Sequence, residues 1–167
     1  VHDVDSMQLI RMVQEMRDLN KFQGGDEIKG GGPRLFIGAA ASPFSSPIEM
    51  RPFRLAKKVV AGADFIQTQM IFDMDIFKKY MRKVVELGLH EKISILAGVG
   101  PLKSTPMARF LQNEVPGIEV PAHLLERMDN AVKGIDKEDK EARRDAWRAE
   151  GIKLCIEQIQ EIREIEG

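Results

Sequence analysis

Two hydrophobic periods alternate along this chain, and the switches between them predict its elements. Leu9, Ile10, Val13 and Met16 fall at helical spacing behind Asp5, an N-cap with Gln8 placed to complete a capping box and Val4 facing Leu9 as a staple; a helix is expected from Ser6 to about Leu19. Gly24-Gly25 and Gly30-Gly31-Gly32-Pro33 then bracket a polar surface loop, since no lysine and hydroxyl follow in the register of a phosphate cradle. Leu35 to Ala41 reads as a short apolar strand whose small residues leave room for something to approach the backbone, and Ser42 to Pro47 as a loop. A helix starts near Pro52 at its first position, runs to about Ala61 and stops at Gly62.

The stretch from Ala61 to Asp73 is the centre of the pattern: helix end, turn, strand and helix start. Strand Phe65 to Met70 puts Phe65, Gln67 and Gln69 on one face and Ile66, Thr68 and Met70 on the other. Helical patterns on both sides predict that both faces are covered, so the amides need partners or a ligand. Gln69, at the carboxyl end, is the first candidate binding residue, although an amide satisfied by a neighbouring strand is the simpler account of these residues alone.

Asp73 caps the next helix, with Ile76, Phe77, Tyr80, Met81, Val84 and Val85 inside and Gly88 closing it, and this role accounts for the aspartate without catalysis. Ile93 to Val99 is a third strand. Ser104 caps a short helix containing Met107, Phe110 and Leu111, and Pro121 opens another through Leu124, Leu125, Met128 and Val132 to near Gly134. A final helix from about Lys137 to Ile165 repeats Ala142, Ala146, Ala149, Ile152, Ile156, Ile159 and Ile162 at helical spacing, with a solvated charged face.

Alternating strands and helices of these lengths make parallel βαβ units. Three strands leave open edges, which a barrel or a doubly wound sheet completed by further strands would pair. In either fold the reactive groups gather at strand carboxyl ends, here Ala41-Ser42, Gln69 and the turn from Gly98 to Leu102.

Composition narrows the partners. With 25 basic and 26 acidic residues among 167, the net charge of -1 offers no field for nucleic acid or an anionic membrane. No apolar run is long enough for a bilayer and no leader opens the chain, so a cytoplasmic protein is expected. Cys155 stands alone and reads as a small buried apolar residue; His2, His90 and His123 lack metal-ligand spacing and read as surface residues. Met70, Met74, Met81, Met107 and Met128 read as core fillers, and Lys57 and Lys58, taken alone, as solvated helix charges. Beginning at Val1 and stopping at Gly167 directly after a helix, the chain reads as cut from something larger.

Several blocks together carry a resemblance: Gly38-Ala-Ala-Ala-Ser-Pro43, Lys57-Lys58-Val59 with Ala61-Gly-Ala-Asp-Phe-Ile-Gln-Thr-Gln69, Phe72-Asp73, Leu96-Ala-Gly-Val-Gly-Pro-Leu102 and Val120-Pro121. In order and spacing they resemble the methylenetetrahydrofolate reductase family over nearly the whole chain, and Asp3 to Ile10 is similar to the helix after that family's fourth strand. The resemblance implies an α/β fold, a (β/α)8 TIM barrel of which residues 1–167 form a single partial domain holding strands five, six and seven with their helices, but not strand eight. It implies a flavoprotein of one-carbon metabolism and methionine biosynthesis, reducing 5,10-methylenetetrahydrofolate to 5-methyltetrahydrofolate. The flavin would be FAD in preference to FMN, with NAD(P)H as a candidate electron donor and a homo-oligomer or an electron-donating subunit as candidate partners.

On the same resemblance, Gln69 would contact the folate, Lys58 and Lys57 the flavin phosphates, and Ala40, Ala41 and Ser42 the flavin along the strand end. Ser42 stands where many members carry tyrosine, the loop Phe44 to Pro47 is shorter than their histidine-containing one, and Met107 replaces a glutamine of some members. The family's glutamate acid and its aspartate near the flavin belong to the first half of the barrel, so no catalytic residue, and no metal, is assigned to this chain. The rival reading is a non-catalytic barrel subunit or folate-binding module acting with a partner protein. An aldolase-like lyase lacks its strand-end lysine, because Lys57 and Lys58 fall on a helix.

Overall fold

A computed structural model describes residues 4–167; His2 and Asp3 lie outside the described residues. Helix α1 (Ser6–Leu19) begins as its capping box dictates. The Asp5 carboxylate accepts the Gln8 N–H at 2.8 Å and the Gln8 amide oxygen accepts the Asp5 N–H at 2.7 Å. After a loop, β1 (Gly38–Ala41), β2 (Phe65–Met70) and β3 (Ser94–Gly98) alternate with α2 (Arg51–Ala61) and α3 (Met74–Glu86). The three strands form one parallel sheet in the order β1-β2-β3. This is the arrangement expected of part of a TIM barrel.

Local chemistry places each element. Asp73 caps α3 by accepting the Ile76 N–H at 2.9 Å, and Gly62 ends α2 at φ 102°, in the left-handed region that favours glycine. Asp64 fastens the amino end of the sheet. Its carboxylate accepts the Ile37 N–H and an Arg17 N–H, each at 2.6 Å, while its own N–H goes to Ile37 O at 2.8 Å. One aspartate thereby ties α1, the start of β1 and the start of β2 together.

Two hydrophobic clusters result. The register row Ala39, Ile66 and Ile95 faces the helices and joins Leu55, Phe77, Tyr80 and Val84. The second gathers Phe72, Leu102, Leu111, Leu124, Met128 and Leu154 from the strand ends and from α4 (Thr105–Glu114), α5 (Ala122–Ala131) and α6 (Lys140–Ile162). Arg127 of α5 pairs with Glu150 and Glu157 of α6, and the Trp147 indole donates to Met128 O at 3.0 Å.

The structure departs from the sequence expectations where periodicity alone set the inward face. The strand expected from Leu35 starts only at Gly38, leaving Phe36 75% exposed. Strand β2 is covered on one face, not two: Ile66 and Thr68 are buried, but the neighbouring row Ala40, Gln67 and Leu96 is exposed. Leu9 and Phe110 point outward from their helices. The largest correction concerns α6, whose buried stripe is Gly151, Leu154 and Gln158, while Ile152, Ile156 and Ile159 are exposed. Apolar residues occupy both sides of that helix, and the neighbours α5 and Leu102 select the side that is covered. Cys155 is half-buried rather than buried.

Candidate functional site

Strands β1 and β2 open along their length, from Gly38 and Phe65 to Ala41 and Gln69, into a cleft of about 750 Å³, within the range of small-molecule sites. Its floor is the run Gly38 to Ala41, continued by Ser42, and its other walls are Phe65, Gln67, Thr68 and Gln69 of β2 and the α2 residues Arg51, Arg54, Leu55 and Lys58. Because β1 is an edge strand of glycine and alanine only, the cleft reaches both of its faces. Phe65 lies over Gly38, where a Cβ would stand 2.2 Å from its Cζ, and stacks on Phe36 with centroids 5.3 Å apart.

The tip of β2 is set by a register shift against β3 between Gln67 and Met70. There the Thr68 hydroxyl accepts the Gly98 N–H at 2.8 Å. A side chain at Gly98 is excluded, since its Cβ would lie 2.7 Å from Thr68 O. The irregularity leaves Gln69 half-buried on the cleft wall, with no side-chain hydrogen bond among the described residues. An amide there can both donate and accept toward a ligand edge.

The cleft is basic. Lys58 is half-buried and its ammonium donates to Ala40 O. Loss of hydration, and then the neighbouring Arg54 guanidinium, hold its pKa below the ordinary lysine value. Arg54 has no carboxylate partner among the described residues, and no aspartate or glutamate lines the cleft. Arg51 is committed locally, donating to Ser45 O and Ser46 O, so it shapes the loop after β1. Ser42 is also engaged, with its Oγ 2.6 Å from Ser45 Oγ. Tyr80 of α3 completes the wall from the helix side.

Of the residues singled out in the sequence, the cleft therefore brings together Ala40, Ala41, Ser42, Lys58 and Gln69. Lys57 is not among them; it is exposed on α2 and does not line the cleft. Met107 sits against the second cluster, and Asp73 caps α3 through one carboxylate oxygen. His123 is exposed and His90 half-buried. Among the described residues no three of His, Cys, Asp and Glu are placed to hold a metal, and no helix is long and apolar enough to cross a membrane. Sequence reading passed over Arg54 and Tyr80. Arg54 was within reach of it, since it lies four residues before Lys58 and so shares its helix face; nothing in the periodicity marks the Tyr80 hydroxyl.

Comparison with known proteins identifies the family. The sequence model of the family described as methylenetetrahydrofolate reductase matches residues 27–165. Among curated relatives, methylenetetrahydrofolate reductase 2 of Saccharomyces cerevisiae is 31% identical over 138 residues, which are 78% of this chain and 21% of that protein. Probable methylenetetrahydrofolate reductase (NADPH) of Caenorhabditis elegans is 26% identical over 151 residues, 86% of this chain and 21% of its own. Methylenetetrahydrofolate reductase (NADH) 1 of Arabidopsis thaliana is 36% identical over 80 residues, 46% of this chain and 13% of its own. The chain thus spans about a fifth of the length of the first two relatives. With most of the residues that build the cleft and its supporting helices inside the matched region, the chain belongs to the methylenetetrahydrofolate reductase family.

Proposed function

We propose that this chain supplies strands five to seven of a (β/α)8 barrel, as one partial domain, and carries part of the flavin and folate site of an enzyme reducing 5,10-methylenetetrahydrofolate to 5-methyltetrahydrofolate. The observation that carries the proposal is the cleft itself: a floor of glycine and alanine, a free strand-end amide and cations without carboxylate partners. These residues fit a flavin. Beyond Gly38, which Phe65 covers, the floor at Ala40 and Ala41 leaves room for a flat ring against backbone, and Lys58 with Arg54 offers charge to phosphate oxygens. Ser42 lies at the end of that floor. Lys57, one position from Lys58 but exposed, serves only as an outer charge.

A bound flavin supplies the hydride chemistry, and the protein orients and tunes it. Gln69 presents its amide to the polar edge of the folate ring, fixing which face of the substrate lies over the cleft. Among the described residues no carboxylate lines the cleft, and on the family resemblance the general acid would come from the first half of the barrel. FAD is favoured over FMN by the family resemblance, NADPH and NADH are candidate donors after the names of two relatives, and the setting is cytoplasmic one-carbon metabolism. A homo-oligomer or an electron-donating subunit would complete the assembly.

The test is reconstitution. The protein is expected to take up flavin, turn yellow, bleach on reduction and recover its colour with methylenetetrahydrofolate. Replacing Gln69 by Ala should depress folate reduction at least tenfold while changing the melting temperature little. Absence of flavin uptake together with retained folate binding would instead establish the non-catalytic folate-binding module.

A further inference from the structure

Three isoleucines of α6 face outward. Ile152, Ile156 and Ile159 are 44%, 50% and 39% exposed, on the side of the helix opposite the buried Gly151, Leu154 and Gln158. Continued in both directions, the stripe runs Asp145, Ala149, Ile152, Ile156, Ile159 and Arg163, all exposed and separated by alternating steps of four and three. At about 100° per residue that spacing keeps them on one narrow face, the seam pattern of paired helices. A contiguous apolar stripe left in water marks an interaction surface.

The order of residues along the seam selects its occupant. Ile152 and Ile156 stand two residues either side of Leu154, Ala149 and Ile159 five, and Asp145 and Arg163 nine. Laid antiparallel on a second copy of itself, α6 therefore sets each Ile152 against an Ile156 and each small Ala149 against a large Ile159. The ends carry opposite charges, and neither Asp145 nor Arg163 has an ion-pair partner among the described residues. In the antiparallel pair each of these aspartates meets the arginine of the other copy, whereas a parallel pair would oppose like charges at both ends. A twofold interface requires a patch complementary to itself, and this seam is one.

We propose that two copies of this chain associate through α6, packed antiparallel from Asp145 to Arg163 about a twofold axis at Leu154. Lys153 approaches its own copy on one flank, where Glu157, close enough to feel its charge, offsets the repulsion. At a rise of about 1.5 Å per residue the seam is about 27 Å long. That is less than a standard interface provides, so a weak, concentration-dependent dimer is expected. No residue of α6 lines the cleft, and the inference is independent of the flavin and folate reading.

The test is sedimentation equilibrium of the full chain across micromolar concentrations. Wild type should pass from monomer to dimer. Ile152→Glu, which removes two isoleucine contacts per dimer, should raise the dimer Kd at least about a hundredfold. Asp145→Arg and Arg163→Asp should each raise it about tenfold, because each turns both end pairs into like-charge contacts. Mixed together, these two single variants should pair as wild type does, since each supplies the charge the other lacks. All three side chains are exposed in the single chain, so melting temperatures at dilute, monomeric concentration should match wild type. A wild type that stays monomeric overturns the proposal and leaves the stripe to a further strand and helix of a barrel. A dimer indifferent to Ile152→Glu, or charge-reversed variants that do not recover on mixing, overturns it as well. So does a lower melting temperature of dilute Ile152→Glu, which would mean that the stripe is covered within one chain.

Discussion

The Thr68 hydroxyl of β2 accepts the backbone N–H of Gly98 in β3 at 2.8 Å, where the ladder between the two strands loses its register. A side chain thus stands in for a missing backbone acceptor at the residue next to Gln69. Thr68 is 5% exposed, so water is a poor substitute.

Thr68→Val keeps the shape and removes the acceptor. It should destabilise the protein by about 1–3 kcal/mol, the cost of leaving a buried N–H unpaired, and Thr68→Ser should lose much less. The midpoint of denaturant unfolding measures both. Equal losses for the two would mean that the methyl packing, and not the hydrogen bond, holds the strand tips together.

Lys58 should make the cleft sensitive to alkaline pH. Its pKa in the folded protein is lowered, chiefly by lost hydration and then by Arg54, so between that value and the unfolded one the unfolded chain holds more protons. Stability therefore rises with pH through this window, because deprotonation relieves the desolvated charge. Anion affinity follows the opposite course, falling as the ammonium is lost. Lys58→Met should flatten both trends. Melting temperature and pyrophosphate affinity recorded from neutral pH to about pH 10.5, the unfolded lysine value, would show them; parallel rather than opposed curves would contradict this role.

Gly151 lies in the middle of α6, where a glycine is unfavourable by about 1 kcal/mol relative to alanine. A Cβ at this position would stand 1.9 Å from Leu102 O and 2.9 Å from Leu102 C, both backbone atoms after β3. Gly151→Ala should accordingly destabilise by about 1–3 kcal/mol, as overpacking does, and not stabilise as helix propensity alone predicts. Calorimetric unfolding would decide between the two signs.

Much of this protein was legible before any coordinates. Caps and breakers are local, so Asp5 with Gln8, Asp73, Ser104 and Gly62 marked helix ends that the structure reproduces closely. Strand alternation likewise separated Ile66 and Thr68 from Phe65 and Gln67. The strand-end position of Gln69 followed from the same alternation, and the family from the spacing of its blocks.

Contacts between distant segments were beyond such reading. Sequence periodicity shows that α6 has apolar residues, but two of its sides qualify; only the approach of Leu102 at Gly151 chose the buried one. Lys57 and Lys58 are adjacent in the chain, yet a turn of about 100° per residue sends one to solvent and the other into the cleft. Tyr80 reads as core by its spacing, and only the packing around α3 leaves its oxygen without a partner among the described residues. Short-range signals fix where elements begin and end because hydrogen bonds and dihedrals are local. Which faces meet, and which polar atoms remain unmatched, depends on groups brought together from far along the chain.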